Sequence, residues 1–137
     1  MLFNHRFNND SMSVRSRTIA ISVKRKTGDV FEAILNLPPK MAPDAKKKEG
    51  NWWSFTTERG PAQLKFFDNK QLGILDYQYI DTEAKWDVPM RVIPSGDSSE
   101  ILITLNKPEG MSEEVFQKRT KEMEQITQTM KQILETN

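Results

Sequence analysis

Between Arg17 and Lys24, the apolar Ile19, Ile21 and Val23 alternate with Thr18, Ala20 and Ser22. That period of two predicts a half-buried strand. Thr27-Gly28-Asp29 then opens a short helix carrying Val30, Phe31, Ile34 and Leu35 on one side. Pro38-Pro39 stops it, because proline lacks the N–H that a helix interior needs. Residues 38–51 hold Pro38, Pro39, Pro43 and the run Lys46-Lys47-Lys48. They predict a loop with room for one short helical turn, its lysines in water.

Residues 52–106 carry five strand-like segments joined by short turns. Pairing Thr57 with Ala62 around Glu58–Pro61 sets Phe55 opposite Leu64 and Trp53 opposite Phe66. The turn at Asp68–Gln71 pairs Phe67 with Leu72 and Leu64 with Leu75. A loop at Thr82–Lys85 pairs Tyr79 with Val88 and Tyr77 with Met90. The last turn, around Ser95-Gly96-Asp97, pairs Val92 with Ile101 and Met90 with Ile103. Every register sets apolar against apolar, and a one-residue slip would turn a strand inside out. The result is one antiparallel meander with a single apolar face. That face holds Trp53, Phe55, Leu64, Phe66, Leu75, Tyr77, Tyr79, Trp86, Val88, Met90, Val92, Ile101, Ile103 and Leu105. Gln63, Lys65, Asp76, Gln78, Asp87, Arg91, Glu100 and Thr104 fall on the other face, which suits water.

The chain closes with a long helix. Ser112 is its N-cap, and Glu113 and Glu114 complement the helix dipole. Phe116, Met123, Ile126, Met130, Ile133 and Leu134 follow three-and-four spacing and form its apolar stripe. No other segment is long enough to cover the sheet. The expected fold is therefore α+β: a strand, short helices, a meander, and a long helix against the meander's apolar face.

Composition narrows the function. At roughly 100–200 residues per domain, 137 residues make one domain. Residues 1–15 read as a disordered or frayed N-terminal tail, and residues 16–137 as the domain. The net charge of +1 argues against nucleic acid or an anionic surface as a main partner. No cysteine is present, which excludes disulfides, thiol catalysis and Cys-based metal sites. The single histidine, His5, lies in the tail. No apolar run approaches the ~20 residues of a membrane-spanning helix, so no membrane insertion is expected. The opening MLFNHRFNNDS lacks the apolar stretch of a signal peptide, which predicts a cytoplasmic location. Gly-rich phosphate loops, nucleophile elbows and HExxH motifs are absent, and no cofactor is expected.

This order of elements resembles the helix-grip fold of the START-related, pollen-allergen-like SRPBCC superfamily over about residues 17–135. There, a curved antiparallel sheet wraps a long C-terminal helix with a cavity between them. Finer motifs are similar to a polyketide cyclase/dehydrase-like branch: Leu75-Asp76-Tyr77, Val88-Pro89-Met90-Arg91-Val92, Gly96-Asp97-Ser98-Ser99-Glu100 and Pro108-Glu109-Gly110-Met111-Ser112. Members of that branch commonly carry His where this chain has Tyr77. The resemblance implies a small hydrophobic ligand, of lipid-, polyketide- or terpenoid-like class, held between sheet and helix. It does not imply a reaction, because one fold hosts many chemistries.

The candidate ligand walls are Trp53, Phe55, Phe66, Tyr77, Tyr79, Trp86 and Met90 on the sheet, with Met123 and Met130 on the helix. Aromatic and methionine surfaces adapt to varied apolar ligands, and each tyrosine adds a hydroxyl that needs a partner. Each residue alone is equally at home in an ordinary core. Two other functions stay open. One is a cyclase/dehydrase-type enzyme using Tyr77 or Tyr79 as its acid. The other is a protein-interaction module, which would need an exposed apolar patch. Asp76 and Arg91 are expected to form a cross-strand ion pair on the open face, and Glu32 to be solvated.

Overall fold

The structure is a computed structural model that describes residues 15–136. His5 and all but the last residue of the expected tail lie outside the described residues. The first strand, β1 (Ser16–Val23), turns Ile21 and Val23 into the core. Helix α1 (Thr27–Leu35) follows and buries Val30, Phe31 and Ile34. Pro38 and Pro39 do not merely end α1. They occupy the first turn of a second helix, α2 (Pro38–Met41), where a missing N–H costs nothing.

Seven further strands follow: β2 (Lys46–Lys48), β3 (Trp52–Thr57), β4 (Gly60–Asn69), β5 (Ile74–Ile80), β6 (Lys85–Val88), β7 (Met90–Ser95) and β8 (Ser98–Asn106). They form one antiparallel eight-stranded sheet in the order β1-β8-β7-β5-β4-β3-β2, with β6 also paired to β5. The long helix α3 (Glu113–Thr136) completes the chain. Ser112 caps it as expected, its Oγ accepting from the Val115 N–H at 3.1 Å.

Two strands were not expected. The lysine run is not loop but an edge strand pairing with β3, and its exposed lysines blunt that edge. The segment expected as one strand through Val88 and Val92 is two, β6 and β7, separated by Pro89. Proline has no N–H for the ladder. The Asp76 side chain instead accepts the next N–H, that of Met90, at 3.0 Å.

The β7–β8 register is the expected one, with Val92 facing Ile101 and Met90 facing Ile103. The other three differ, each by an even number of residues. Trp53 faces Leu64 rather than Phe66, and Phe55 faces Ala62. Thr57 closes this tighter turn: its Oγ1 donates to Gly60 O at 3.0 Å and accepts from Arg59 N at 3.1 Å. Between β4 and β5, Leu64 faces Tyr79 rather than Leu75, and Phe66 faces Tyr77. Both strands run on to a helical turn at Lys70–Leu72, which leaves Phe67 53% and Leu72 66% exposed. Gly73 ends that turn at φ +67, and a Cβ there would lie 2.5 Å from the Val92 carbonyl oxygen. Only glycine fits both the conformation and the approach. Between β5 and β6, Tyr79 faces Trp86 and Tyr77 faces Val88. The Asp81 carboxylate draws that residue into the turn by accepting the Glu83 and Ala84 N–H groups at 2.9 and 3.0 Å.

On α3 the expected stripe is buried at Phe116, Met130 and Leu134 and packs half-buried against the core at Met123 and Ile133; only Ile126 departs from it, 44% exposed, and Thr120 and Thr127 are buried in addition. The threonines fit because their hydroxyls donate within the helix, to Phe116 O at 2.9 Å and Glu124 O at 2.7 Å. No helix among the described residues is long and apolar enough to cross a membrane.

Candidate functional site

The face of the sheet turned toward α3 is sealed unevenly. On the β1 side, Val92, Ile101, Ile103 and Leu105 are buried. Here the C-terminal part of α3 is tied down. Lys131 donates to Ser22 O, Arg25 donates to Leu134 O at 3.2 Å, and Lys24 N donates to Glu135 at 2.9 Å. Toward β2, Trp53, Phe55, Leu64, Phe66 and Tyr79 stay half-buried, as does Met123 on the helix. An apolar strip thus remains open beside α3.

Alternation along each strand and registration across strands order this strip. Trp53, Leu64, Tyr79 and Trp86 form one row across β3, β4, β5 and β6. Phe66, Tyr77 and Val88 form the next. Phe55 lies 6.3 Å from the Tyr79 ring, and Phe66 meets Tyr77 edge-on at 6.1 Å. Trp86 is buried and stacks on Phe116 of α3 at 6.2 Å. At the open end, the Lys47 ammonium sits 4.8 Å over the Trp53 ring. The indole N–H groups of Trp53 and Trp86 are both buried and lack a hydrogen-bond partner among the described residues.

Of the residues expected to form the walls, Trp53, Phe55, Phe66, Tyr77, Tyr79, Trp86 and Met90 share the helix side of the sheet. Tyr77, Trp86 and Met90 are buried in the core. The two methionines of the helix part company: Met123 is half-buried beside the open strip, whereas Met130 is 5% exposed in the core. Asp76 and Arg91 do pair on the exposed face, although the backbone of Arg91 faces Ile74. Glu32 is exposed and bonded to Lys70 at 2.8 Å.

A charged corner closes the strip's end at the β3–β4 and β5–β6 turns, and no expectation had named it. Arg119 of α3 donates to Asp81 and to Glu83, both at 2.5 Å, and its guanidinium lies 5.3 Å over the Trp86 ring. Arg59 bonds to Glu122 of α3, and Thr82 donates to Arg59 O at 3.0 Å. The Asp81 side chain is fully buried and that of Arg119 nearly so. Burial alone would raise the Asp81 carboxyl, but backbone N–H donors and Arg119 outweigh it and hold the group below its ordinary value. A sequence signal exists for this corner. Asp81 opens a polar turn, and Arg119 flanks the apolar stripe between Phe116 and Met123.

Burial pushes the Tyr77 hydroxyl well above the usual tyrosine value. For Tyr79, burial and then the nearby Asp81 carboxylate push it up to about 12. Both are therefore neutral phenols at physiological pH. Two hollows also mark the surface. One of about 790 Å³ lies among the β5–β6 turn, the end of β8 and the start of α3, lined by residues such as Lys85, Lys107 and Met111. Another of about 310 Å³ lies over α1. Neither is lined by any expected wall residue.

The architecture coincides with that of Ara h 8.0201. The two share 15% sequence identity and a TM-score of 0.68, covering 89% of this chain and 98% of that one. The chain has the helix-grip fold. A START superfamily protein from Mycobacterium smegmatis shares it at 10% identity and a TM-score of 0.65, over 90% of this chain and 99% of that one. DynU16, a protein of the dynemicin biosynthetic locus, shares it at 13% identity and a TM-score of 0.59, over 81% of this chain and 44% of that one. No protein-family model and no curated protein matches the sequence. At these identities the helix-grip likeness is one of fold, so function has to be argued from the site itself.

Proposed function

We propose that this protein binds a small hydrophobic molecule of lipid-, polyketide- or terpenoid-like class in the strip between the sheet and α3. The observation that carries the reading is the unsealed apolar face: Trp53, Phe55, Leu64, Phe66, Tyr79 and Met123 are half-buried while their neighbours toward β1 are closed off. A domain needing only a packed core would gain by sealing that area, at about 25 cal/mol per Å². The helix-grip neighbours include a START superfamily protein and a protein of a biosynthetic locus, which agrees with this class of ligand. We further propose a cytoplasmic location and a single domain spanning residues 16–137.

Catalysis by Tyr77 draws no support from its surroundings. Burial makes its proton harder to remove, and a useful general acid has a value nearer the working pH.

Titration of an environment-sensitive apolar dye tests the proposal. The wild type should bind it saturably. Leu64→Arg, which sets a charge in the middle of the row, should abolish binding while the circular dichroism spectrum is kept. Equal dye binding by the variant would remove the strip from consideration.

A further inference from the structure

Two tryptophans in the same cross-strand row carry buried indole N–H groups with no partner among the described residues. Trp86 is only 4% exposed, so its unpaired donor lies deep beneath α3. Trp53 stands at the other end of the row, half-exposed as a residue but with its N–H covered. A buried donor left unpaired loses its hydration with nothing in return, and native interiors rarely carry one without a reason. An indole N–H can only donate, so whatever satisfies it must bring an acceptor.

The spacing adds a second constraint. Trp53 and Trp86 are separated by Leu64 and Tyr79, one residue per strand. Three strand steps of 4.7–4.9 Å set the two backbones about 14 Å apart. Between them the surface is a leucine side chain and an aromatic ring.

We infer that the strip takes an elongated, largely apolar molecule with hydrogen-bond acceptors, such as carbonyl, ester or ether oxygens, near both ends, one for the Trp53 N–H and one that reaches the buried Trp86 N–H by entering between the sheet and α3. This inference rests on the binding function proposed above and specifies its ligand chemistry. It disfavours plain hydrocarbons, which leave both donors unpaired. It equally disfavours molecules whose polar ends can only donate.

Dimethyl sebacate carries an ester at each end of an alkyl chain, and methyl decanoate carries one. Both should displace the apolar dye from the wild type. The diester should bind about twofold to tenfold more tightly, the increment of one added neutral hydrogen bond. Trp53→Phe and Trp86→Phe should each remove the diester's advantage while the monoester still binds. Trp86 lies in the core, so the half-exposed Trp53 provides the variant that keeps its fold. A third reading needs no mutation. In ¹H–¹⁵N spectra, the diester should shift the Trp53 and Trp86 indole resonances and leave that of Trp52, on the opposite face, in place. If the dye binds but the two esters do not differ, or the advantage survives both variants, the inference is wrong and the strip still stands. If neither the dye nor an ester binds, the proposed function fails with it.

Discussion

Arg119→Met breaks the charged corner at its centre. The substitution keeps a long apolar side chain over Trp86 and removes the guanidinium that Asp81, Glu83 and Glu122 share. The fully buried Asp81 is then left without its counter-charge. Breaking a buried pair by removing one partner costs about 3–5 kcal/mol. Asp81 keeps the two backbone N–H bonds of its turn, so the expected loss lies at the low end, about 3 kcal/mol. Asp81→Asn should cost less, about 1–2 kcal/mol, because Arg119 retains Glu83 at 2.5 Å and the amide can still accept within the turn. Urea unfolding of both variants, compared at constant m-value, reads the difference. The pH dependence gives an independent check. A carboxyl held low in the folded state contributes stability that is present above its unfolded value of about 3.9 and is lost as pH falls through the folded one. The wild type should therefore lose stability below about pH 4 more steeply than Asp81→Asn. Equal losses in the two variants, or a loss below about 1 kcal/mol for Arg119→Met as at an exposed pair, would refute the buried-corner account.

Met130→Ala should cost about 2–5 kcal/mol through a void in the sealed part of the core, and Met123→Ala about 1–2 kcal/mol, because half-buried Met123 has less burial to lose; reversed urea midpoints would place the open strip under the wrong half of α3. Gly73→Ala should lose more than about 2 kcal/mol, since it adds a backbone clash to the usual left-handed penalty of roughly 1–2 kcal/mol, and a thermal melt within a degree or two of wild type would contradict the tight Gly73–Val92 approach. The chain has two tyrosines, and with Tyr79 at about 12 and Tyr77 raised further, absorbance at the phenolate band should stay flat through the ordinary value of about 10. Their raised values contribute stability that is present below about pH 10 and lost as pH rises through the folded values, so a phenolate signal at pH 10 in the folded protein would contradict the burial of Tyr77 and the setting of Tyr79 beside Asp81.

The face of each meander residue assigned from the sequence was legible, and three of the four pairings were not, for one reason. Side chains alternate with a period of two, so a register error of two or four residues leaves each residue on its proper face. Trp53 met Leu64 instead of Phe66, and Leu64 met Tyr79 instead of Leu75, yet all stayed on the helix side. The β7–β8 pair was readable because the tight turn at Gly96-Asp97 leaves little choice of register. The other turns depend on side chains reaching back to the backbone, Thr57 in one and Asp81 in another. Hydrophobic periodicity does not register such bonds. The same blindness hid Thr120 and Thr127 in the helix stripe, where an exposed Ile126 looked the better candidate. At the site, the aromatic residues were visible as a set. The Arg119–Asp81 corner was not, because it joins a turn to a helix nearly forty residues away.

Native mass spectrometry of the protein as purified, followed by organic extraction and identification of what is released, tests the central claim most directly. The account predicts an adduct of one small apolar molecule bearing carbonyl, ester or ether oxygens, present in the wild type and lost in Leu64→Arg. A bare wild-type mass, with no uptake of the apolar dye or of dimethyl sebacate when these are added, would contradict it.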